Sequence, residues 1–482
     1  MFLELDGQGA HYSQLLRALR AAILSGRLSA GTRLPPTRAL ALELGWSRIT
    51  ILTAYEQLRA DGYIFGHVGS GSYVSTLPIE AMPPSVVRTI PTTPPSRFAQ
   101  RARKQHDLSV VRRHRGVRFD MQYGSARINP SLNAIWAREL SRAAIEASLD
   151  YADDQGLLAL REQLCNYLAV RRGIHTSVDR VLIVSGTQQA IALTARVLLN
   201  EGDTVAIEEP HYFGAWQQFS AHGAHLVPIR TDREGLLCSE LPELAPRLVY
   251  VTPAHQFPAG SVLSLTRRIE LLSYAEKTSC WIVEDDYDSE LRYDSKPLAT
   301  LHSLDNCDRV IYAGTLSKVM FGAIRLGYMV LPKALCADFI NAKYLDDRGC
   351  PTIEQAALAH FIEVGGFERH LRYVTKELWS RRRTLIEGLT RHAGNRVHIE
   401  GGQAGMHVVA WLPGYDDARI NVLITLAHER GLGLYSIAPH YNEPPATPGL
   451  MLGYCGLTKA QLHDATQLFG ECLDAIDAMA RS

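Results

Sequence analysis

Five short apolar runs between residues 181 and 312 each close on a polar or glycine-containing turn. Val181–Val184 runs into Ser185-Gly186-Thr187, Val205–Ile207 into Glu208-Glu209-Pro210, and Leu248–Val251 into Thr252-Pro253. Trp281–Val283 runs into Glu284-Asp285-Asp286-Tyr287, and Val310–Tyr312 into Gly314-Thr315-Leu316-Ser317-Lys318. Helical spacing fills most of the intervals. Unbroken apolar strands that alternate with helices fit a largely parallel sheet buried on both faces. Such sheets take ligands beyond the carboxyl ends of their strands, so these turns are the first place to look for a site. After residue 350 come long helices (Ile353–Leu389) and then a β-rich, helix-ended C-terminus, which predicts a second, smaller lobe.

The front of the chain differs. From Tyr12 to Leu24 the apolar residues fall at helical spacing; Pro35-Pro36-Thr37 opens a second helix and Gly45 closes it. Ser47 is a good N-cap for a third helix, and two β-prone stretches around Gly69-Ser70-Gly71 make a small hairpin. The formal net charge of the 482 residues is zero, but it is a cancellation: residues 1–118 carry +9 and residues 119–482 carry −9. Such asymmetry points to an attached nucleic-acid-binding unit. Within the front, residues 77–118 hold six prolines and nine basic residues against Glu80 and Asp107. They read as an extended linker, with room for a short helix from about Phe98 to Arg103. Arg101, Arg103, Arg112, Arg113 and Arg115 are expected to add phosphate contacts and salt dependence to DNA binding.

All eight cysteines lie after residue 164, with no C-x-x-C pair and no H-E-x-x-H, so neither a metal site nor a disulfide framework is expected. No apolar run approaches the ~20 residues that cross a bilayer. The N-terminal MFLELDGQGAHYSQ lacks a secretory pattern. A cytoplasmic location follows as the expectation.

The segment Glu43–Thr50 supplies the tight turn and exposed helix start that a helix–turn–helix needs. Arg48 suits a guanine edge or a phosphate, Thr50 a thymine methyl or a phosphate, and Arg38 a backbone contact. Gly69 and Gly71 allow a wing tip to approach a duplex. With the cap Ser47, these form the candidate DNA-binding set. Pattern alone does not separate this from a small helical domain with exposed arginines. From Tyr12 to Val74, however, the order L-SGRL-AGTRLP-TR-LA-LG-SR-T and the wing GSGSYV resemble the winged helix–turn–helix of GntR-type bacterial regulators. His67 departs from that pattern, since family members often carry a basic residue there.

Only eight lysines occur, and Lys318 alone both follows an apolar run and sits in a small hydroxylic turn. A surface lysine after a strand is the plain alternative. Three further features oppose it. Ser185-Gly186-Thr187-Gln188 is a glycine turn opening a helix, a ready anion site. Asp285 ends an apolar strand with Tyr287 beside it, and Arg325 follows Lys318 by seven residues. Together these fit pyridoxal 5′-phosphate (PLP) chemistry, although Glu284-Asp285-Asp286 alone could be a solvated acid cluster.

Residues 119–475 are similar to fold type I aminotransferases through LDYADDQGLLALRE, VSGTQQA, EEPHY, TPAHQFPAG, VEDDYDSE and GTLSKVMFGAIRLGYMVLP. Joined to a GntR-type front, the whole resembles the MocR/GabR regulators. The resemblance implies a winged helix–turn–helix (1–76), a linker (77–118) and an α/β PLP-dependent transferase domain of fold type I (119–482), with a mostly parallel central sheet and a smaller C-terminal lobe. It implies that Lys318 carries PLP, that Asp285 faces the pyridine nitrogen and Tyr287 the 3′ oxygen, and that Tyr212 stacks on the ring. Gly186, Thr187, Gln188, Thr315 and Arg325 would hold the phosphate. Tyr151 would reach a neighbouring subunit's phosphate, which implies a homodimer. His255 or Gln256 stands where aminotransferases offer an asparagine.

Two departures matter. Met451 occupies the place of the arginine that grips a substrate α-carboxylate, and Phe213-Gly214-Ala215 follows Tyr212 without an arginine. A lost bidentate pair removes strong recognition, so at most partial transamination is expected, with Arg127 and Arg348 as substitute anchors. The expected function is a transcriptional regulator that binds double-stranded promoter DNA and senses a small amino-containing effector or PLP itself. A genuine aminotransferase with an attached DNA-binding module, and a cofactor-free dimerisation scaffold, are the alternatives.

Overall fold

The computed structural model describes residues 3–67, 71–76, 94–107, 114–124, 129–146, 148, 150, 153–293, 298–400 and 404–480. They fall into two compact units, Met1–Pro94 and Pro95–Ser482.

The first unit has helices α1 (His11–Leu24), α2 (Thr37–Leu44) and α3 (Arg48–Ala60) and the hairpin β1 (Ile64–His67) and β2 (Gly71–Val74). Leu15, Leu19, Ile23, Leu40, Ile51 and Leu58 build its core. Gly45 ends α2 in the left-handed region (φ 67°), where its missing Cβ removes the steric cost. Ser47 Oγ accepts from the N–H groups of Ile49 and Thr50, so α3 begins capped. Leu42, inside α2, is 85% exposed rather than in the core.

The second unit opens with α4 (Arg97–Asp107), β3 (Phe119–Asp120), α5 (Leu132–Glu146) and α6 (Leu158–Arg172). There follow β4 (Val181–Val184), α7 (Thr187–Leu198), β5 (Thr204–Glu209), α8 (Phe213–His222), β6 (His225–Asp232), β7 (Gly235–Leu236), β8 (Leu248–Val251), α9 (Leu265–Thr278) and β9 (Trp281–Asp286). Next come α10 (Leu301–Leu304), β10 (Val310–Thr315), β11 (Gly327–Val330), α11 (Cys336–Asp347), α12 (Thr352–Glu363) and the long α13 (Gly366–His392). The C-terminal part holds β12 (His398–Glu400), β13 (His407–Trp411), α14 (Asp417–Glu429), β14 (Leu432–Gly433), β15 (Tyr435–Ser436), β16 (Gly449–Gly453) and α15 (Lys459–Met479).

Eight strands form the large sheet in the order β4-β11-β10-β9-β8-β5-β6-β7. The run β10-β9-β8-β5-β6 is parallel throughout. Strand β11 is antiparallel to both its neighbours. A smaller sheet, β12-β13-β16-β15, forms the lobe expected from the β-rich C-terminus. No helix among the described residues is long and apolar enough to cross a membrane.

The stretch expected as linker needs correction. Its helix α4 is longer than foreseen and belongs to the second unit, so the division falls at residues 94/95 rather than 118/119. The reason is a docking contact on α8. Arg101 donates to Ala221 O (2.9 Å) and to Glu201 (3.0 Å), and Phe98 meets His222 edge-on. Arg101 is therefore engaged, while Arg103 and Arg115 are exposed. Arg112 and Arg113 lie outside the described residues.

Strand β16 ends against the segment after β3: Gly453 N–H donates to Met121 O (2.9 Å), and a Cβ at Gly453 would lie 2.2 Å from the backbone oxygen of Gln122. Backbone cannot swing aside as a side chain can. Gly453→Ala should therefore destabilise the protein by on the order of 1–3 kcal/mol, read as a lower urea midpoint.

Candidate functional site

Parallel strands deliver their C-terminal turns to one edge, and there a cavity of about 180 Å³ opens. Gly186, Thr187 and Gln188 reach it from the start of α7, Asp285 and Tyr287 from the end of β9, Thr315 from the end of β10, and Ser317, Lys318 and Arg325 from beyond it. Tyr212, preceding α8, completes the set foreseen from the sequence. Thr252, from one of the strand-end turns, also lines it, as do Tyr123, Gly124, Phe257, Met406 and His407, which the candidate set did not include.

Asp285 is fully withdrawn from water. Its Oδ2 accepts from the Tyr250 hydroxyl, and its Oδ1 has no partner among the described residues. Burial pushes its pKa up to about 7, against the opposing hydrogen bond from Tyr250. Burial also lowers the pKa of Lys318, although Asp288 and Asp285 oppose it. A Cβ on Gly124 would stand 2.9 Å from Lys318 Nζ, so the amine occupies the space that a side chain there would need.

The acids beside Asp285 are buried too and have other duties. Glu284 accepts from the N–H groups of Leu301 and His302, and Asp286 accepts from Arg172 (2.8 Å) and Tyr312 (2.5 Å). Burial works against the charge of Asp286, but Arg172, Ser289 and Tyr312 outweigh it and hold its pKa low. The solvated acid cluster is thereby excluded.

An anion cradle sits at the start of α7. Gly186 has φ 115° and α7 starts without a side-chain cap, leaving backbone N–H groups of its first turn for a ligand. A Cβ on Gly186 would lie 3.6 Å from Arg325 Nη1, so the guanidinium stands over the same turn. The side-chain amide of Gln188 turns away onto Gly214 O (3.2 Å), so Gln188 offers the cradle its backbone. Thr315 Oγ1 accepts from Ser317 N–H (3.3 Å).

The aromatic wall has Tyr212 edge-on to Phe257 (ring centroids 5.6 Å), and burial pushes the Tyr212 pKa up to about 12. Tyr287 is held by His255, whose Nδ1 is 3.0 Å from the Tyr287 hydroxyl and 2.8 Å from Asp288 Oδ2. Gln256 donates instead to Pro210 O (2.6 Å). Neither His255 nor Gln256 lines the cavity. His407 does, and burial drives its pKa down to about 3, so its imidazole is neutral. Met451 is completely buried behind this wall, packed with Phe257 and against Tyr123, Tyr212 and Tyr287.

Among the described lining residues Arg325 is the one guanidinium. Arg348 does not reach the cavity; it ends α11 in a left-handed conformation, exposed, with its guanidinium over the ring of Tyr344 at 5.3 Å. Tyr151 and Arg127 lie outside the described residues. A lysine, an unpartnered buried carboxylate oxygen, a helix-start cradle with an arginine, and aromatic walls match the aldehyde, pyridine nitrogen, phosphate and ring of PLP in kind.

In the first unit Arg38 and Arg48 are exposed, Arg48 at the first position of α3 and Thr50 two residues on. Ser47 uses its hydroxyl as the cap. Gly71 pairs with His67 across the hairpin, and a Cβ there would lie 3.0 Å from Arg33 Nε. Its missing side chain makes room for that arginine. Gly66 does the same for Arg59, at 2.9 Å. Arg33, from the AGTRLP segment, and Arg59 thus stand by the hairpin, although neither was in the candidate DNA-binding set. Gly69 lies outside the described residues, as does the side chain of His67.

Comparison with known proteins agrees with both units. Residues 11–74 match the family of bacterial regulatory proteins, gntR family, and residues 120–444 match aminotransferase class I and II. The chain is 35% identical to the probable rhizopine catabolism regulatory protein MocR of Rhizobium meliloti, over 95% of this chain and 92% of that protein. It is 31% identical to the HTH-type transcriptional regulator TauR of Rhodobacter capsulatus, over 86% and 87%. Among solved structures, the Pyrococcus horikoshii kynurenine aminotransferase, a complex with PMP, superposes with a TM-score of 0.68 at 26% identity, covering 80% of this chain and 95% of that one.

The raised pKa of Asp285 has a thermodynamic sign. The folded protein without cofactor binds this proton more tightly than the unfolded chain (ordinary value near 4). Asp285 therefore costs stability increasingly as pH rises from about 4 towards about 7. Asp285→Asn should raise the melting temperature of the cofactor-free protein at pH 8, and the gain should shrink at pH 5. An equal gain at both pH values would contradict the assignment.

Proposed function

The chain belongs to the MocR-type family of transcriptional regulators, in which a GntR-type DNA-binding domain is joined to an aminotransferase class I and II domain, and from that premise we propose how it works. It binds double-stranded promoter DNA as a homodimer through α3 and the hairpin. Its PLP-binding domain senses a small amino compound or PLP itself. The observation that carries this reading is one chain holding both an exposed recognition-helix start, Arg48, and a buried lysine cavity backed by Met451 rather than an arginine.

PLP, when bound, supplies an aldehyde that condenses with primary amines and a ring that withdraws electrons. The chain's own groups prepare for this. Burial favours the neutral amine of Lys318, the nucleophilic form. Asp285 offers Oδ1 as a proton partner for a ring nitrogen, and Tyr250 fixes its other oxygen. Gly186, Thr187, Gln188, Thr315 and Arg325 bind the phosphate, while Tyr212 and Phe257 hold a planar ring. His255 orients the hydroxyl of Tyr287.

With Met451 buried behind the aromatic wall, an amino acid's carboxylate finds no arginine at the usual place. Amine capture is kept and efficient turnover is lost. The amine's arrival then biases a two-state equilibrium that DNA affinity reads.

Lys318→Ala should abolish the visible absorption of the protein-bound cofactor and the effector's influence on DNA binding, while promoter binding itself persists. Arg48→Ala should weaken promoter binding by on the order of 1–3 kcal/mol in a mobility-shift assay and leave the cofactor spectrum unchanged. Sustained multiple-turnover transamination across a panel of amino donors would overturn the regulator reading in favour of an enzyme.

A further inference from the structure

A second cavity, about 410 Å³, lies between α6, the segment after β9 and helix α13. It is more than twice the size of the lysine cavity and within the range that small-molecule sites occupy. Nothing in the proposed sensing chemistry uses it.

Its lining is strongly basic. Arg171, Arg172, Arg292, Arg372 and Lys376 meet there, against the single carboxylate of Glu290 among the described lining residues. Two of the cations are already committed: Arg171 pairs with Glu368, and buried Arg172 pairs with Asp286 and Glu290. Glu290 also accepts from the Tyr167 hydroxyl (2.7 Å), so its charge is answered inside the protein. Arg372 and Lys376 differ. They stand one turn apart on α13, both exposed, and neither forms an ion pair with any described residue. Residues four apart on a helix project to the same face, so both heads stand on one side of the cavity. Beside them Trp379, 36% exposed, leans on Tyr293 with ring centroids 5.6 Å apart. Two uncommitted cations next to a partly open aromatic pair match a small molecule with a multiply charged anionic end and a flat body.

We propose that this cavity is a second ligand site, distinct from the lysine cavity, for a small aromatic anion that carries a phosphate or paired carboxylates. Arg372 and Lys376 take the charge, and Trp379 with Tyr293 takes the ring. The cavity's own wall leads back to the first site. Glu290 and Arg172 reach Asp286, the neighbour of Asp285, and the Tyr293 hydroxyl donates to Gly405 O (2.5 Å).

The test is calorimetric titration of the full-length, cofactor-loaded protein with phenyl phosphate, phthalate and inorganic phosphate. Phenyl phosphate or phthalate should bind, and whichever binds identifies the charged group. Arg372→Ala/Lys376→Ala should weaken that binding at least about tenfold, on the scale of one charge-assisted hydrogen bond. Trp379→Ala should weaken phenyl phosphate or phthalate while leaving inorganic phosphate as it was. Both sets of positions are at the surface, and an unchanged cofactor spectrum shows that each variant has kept its fold. Failure of the wild type to take up either aromatic anion, or equal binding by the double variant, overturns the site. Inorganic phosphate binding as tightly as phenyl phosphate overturns the aromatic half of it. None of these outcomes depends on Lys318, so they stand apart from the sensing proposal.

Discussion

Three consecutive carboxylates, Glu284, Asp285 and Asp286, are buried at the end of one central strand, and the architecture around them is organised by the need to answer each. Burying a charge without a partner is among the costliest things a protein can do. Alternation along the strand sends Glu284 and Asp286 to one face and Asp285 to the other. On the first face, the opening N–H groups of α10 satisfy Glu284, while Arg172 at the end of α6 and Tyr312 on the next strand satisfy Asp286. On the other face Asp285 receives, among the described residues, only Tyr250, and its second oxygen has no partner there. The helices are docked where they are partly because two of the three acids require them, and the third is free to serve the cavity.

This division explains what was readable in the chain. Strand-end turns announce themselves because a parallel sheet must bury its strands and release its polar groups at one edge. Gly186, Thr187, Asp285, Tyr287, Thr315 and Lys318 stand in those turns, Tyr212 entered through the family resemblance and Arg325 through its spacing from Lys318, and all eight line one cavity. Tyr123, Met406 and His407 come from segments far away in sequence that follow none of the strand-end turns. His255 stands out in the sequence only as one of two residues at the asparagine position; its hydrogen bond to Tyr287 exists only in three dimensions. Strand β11 passed unnoticed because an antiparallel strand four residues long leaves no turn signal of its own. Helix α4 was read as linker because its proline-rich, basic surroundings dominate the composition, whereas its docking rests on contacts with Glu201, Ala221 and His222 that lie about a hundred residues on.

Replacing one long-range charged grip by Met451 changes the balance of the pocket without dismantling it. Aromatic and thioether surfaces hold a flat group in place at little directional cost, whereas a guanidinium would demand a carboxylate in one geometry. On the function proposed above, a cavity with cofactor-holding groups and no such grip would suit recognition of an amine rather than rapid processing of one substrate.

Arg325 holds a left-handed backbone conformation (φ 49°) so that its guanidinium can overlook the helix start at Gly186. For a residue with a Cβ this conformation costs roughly 1–2 kcal/mol, and until an anion arrives the strain has no return. A ligand that binds only the folded form repays it by mass action. An anion held there by Arg325 would thus add to the stability of the fold as well as fill the cavity.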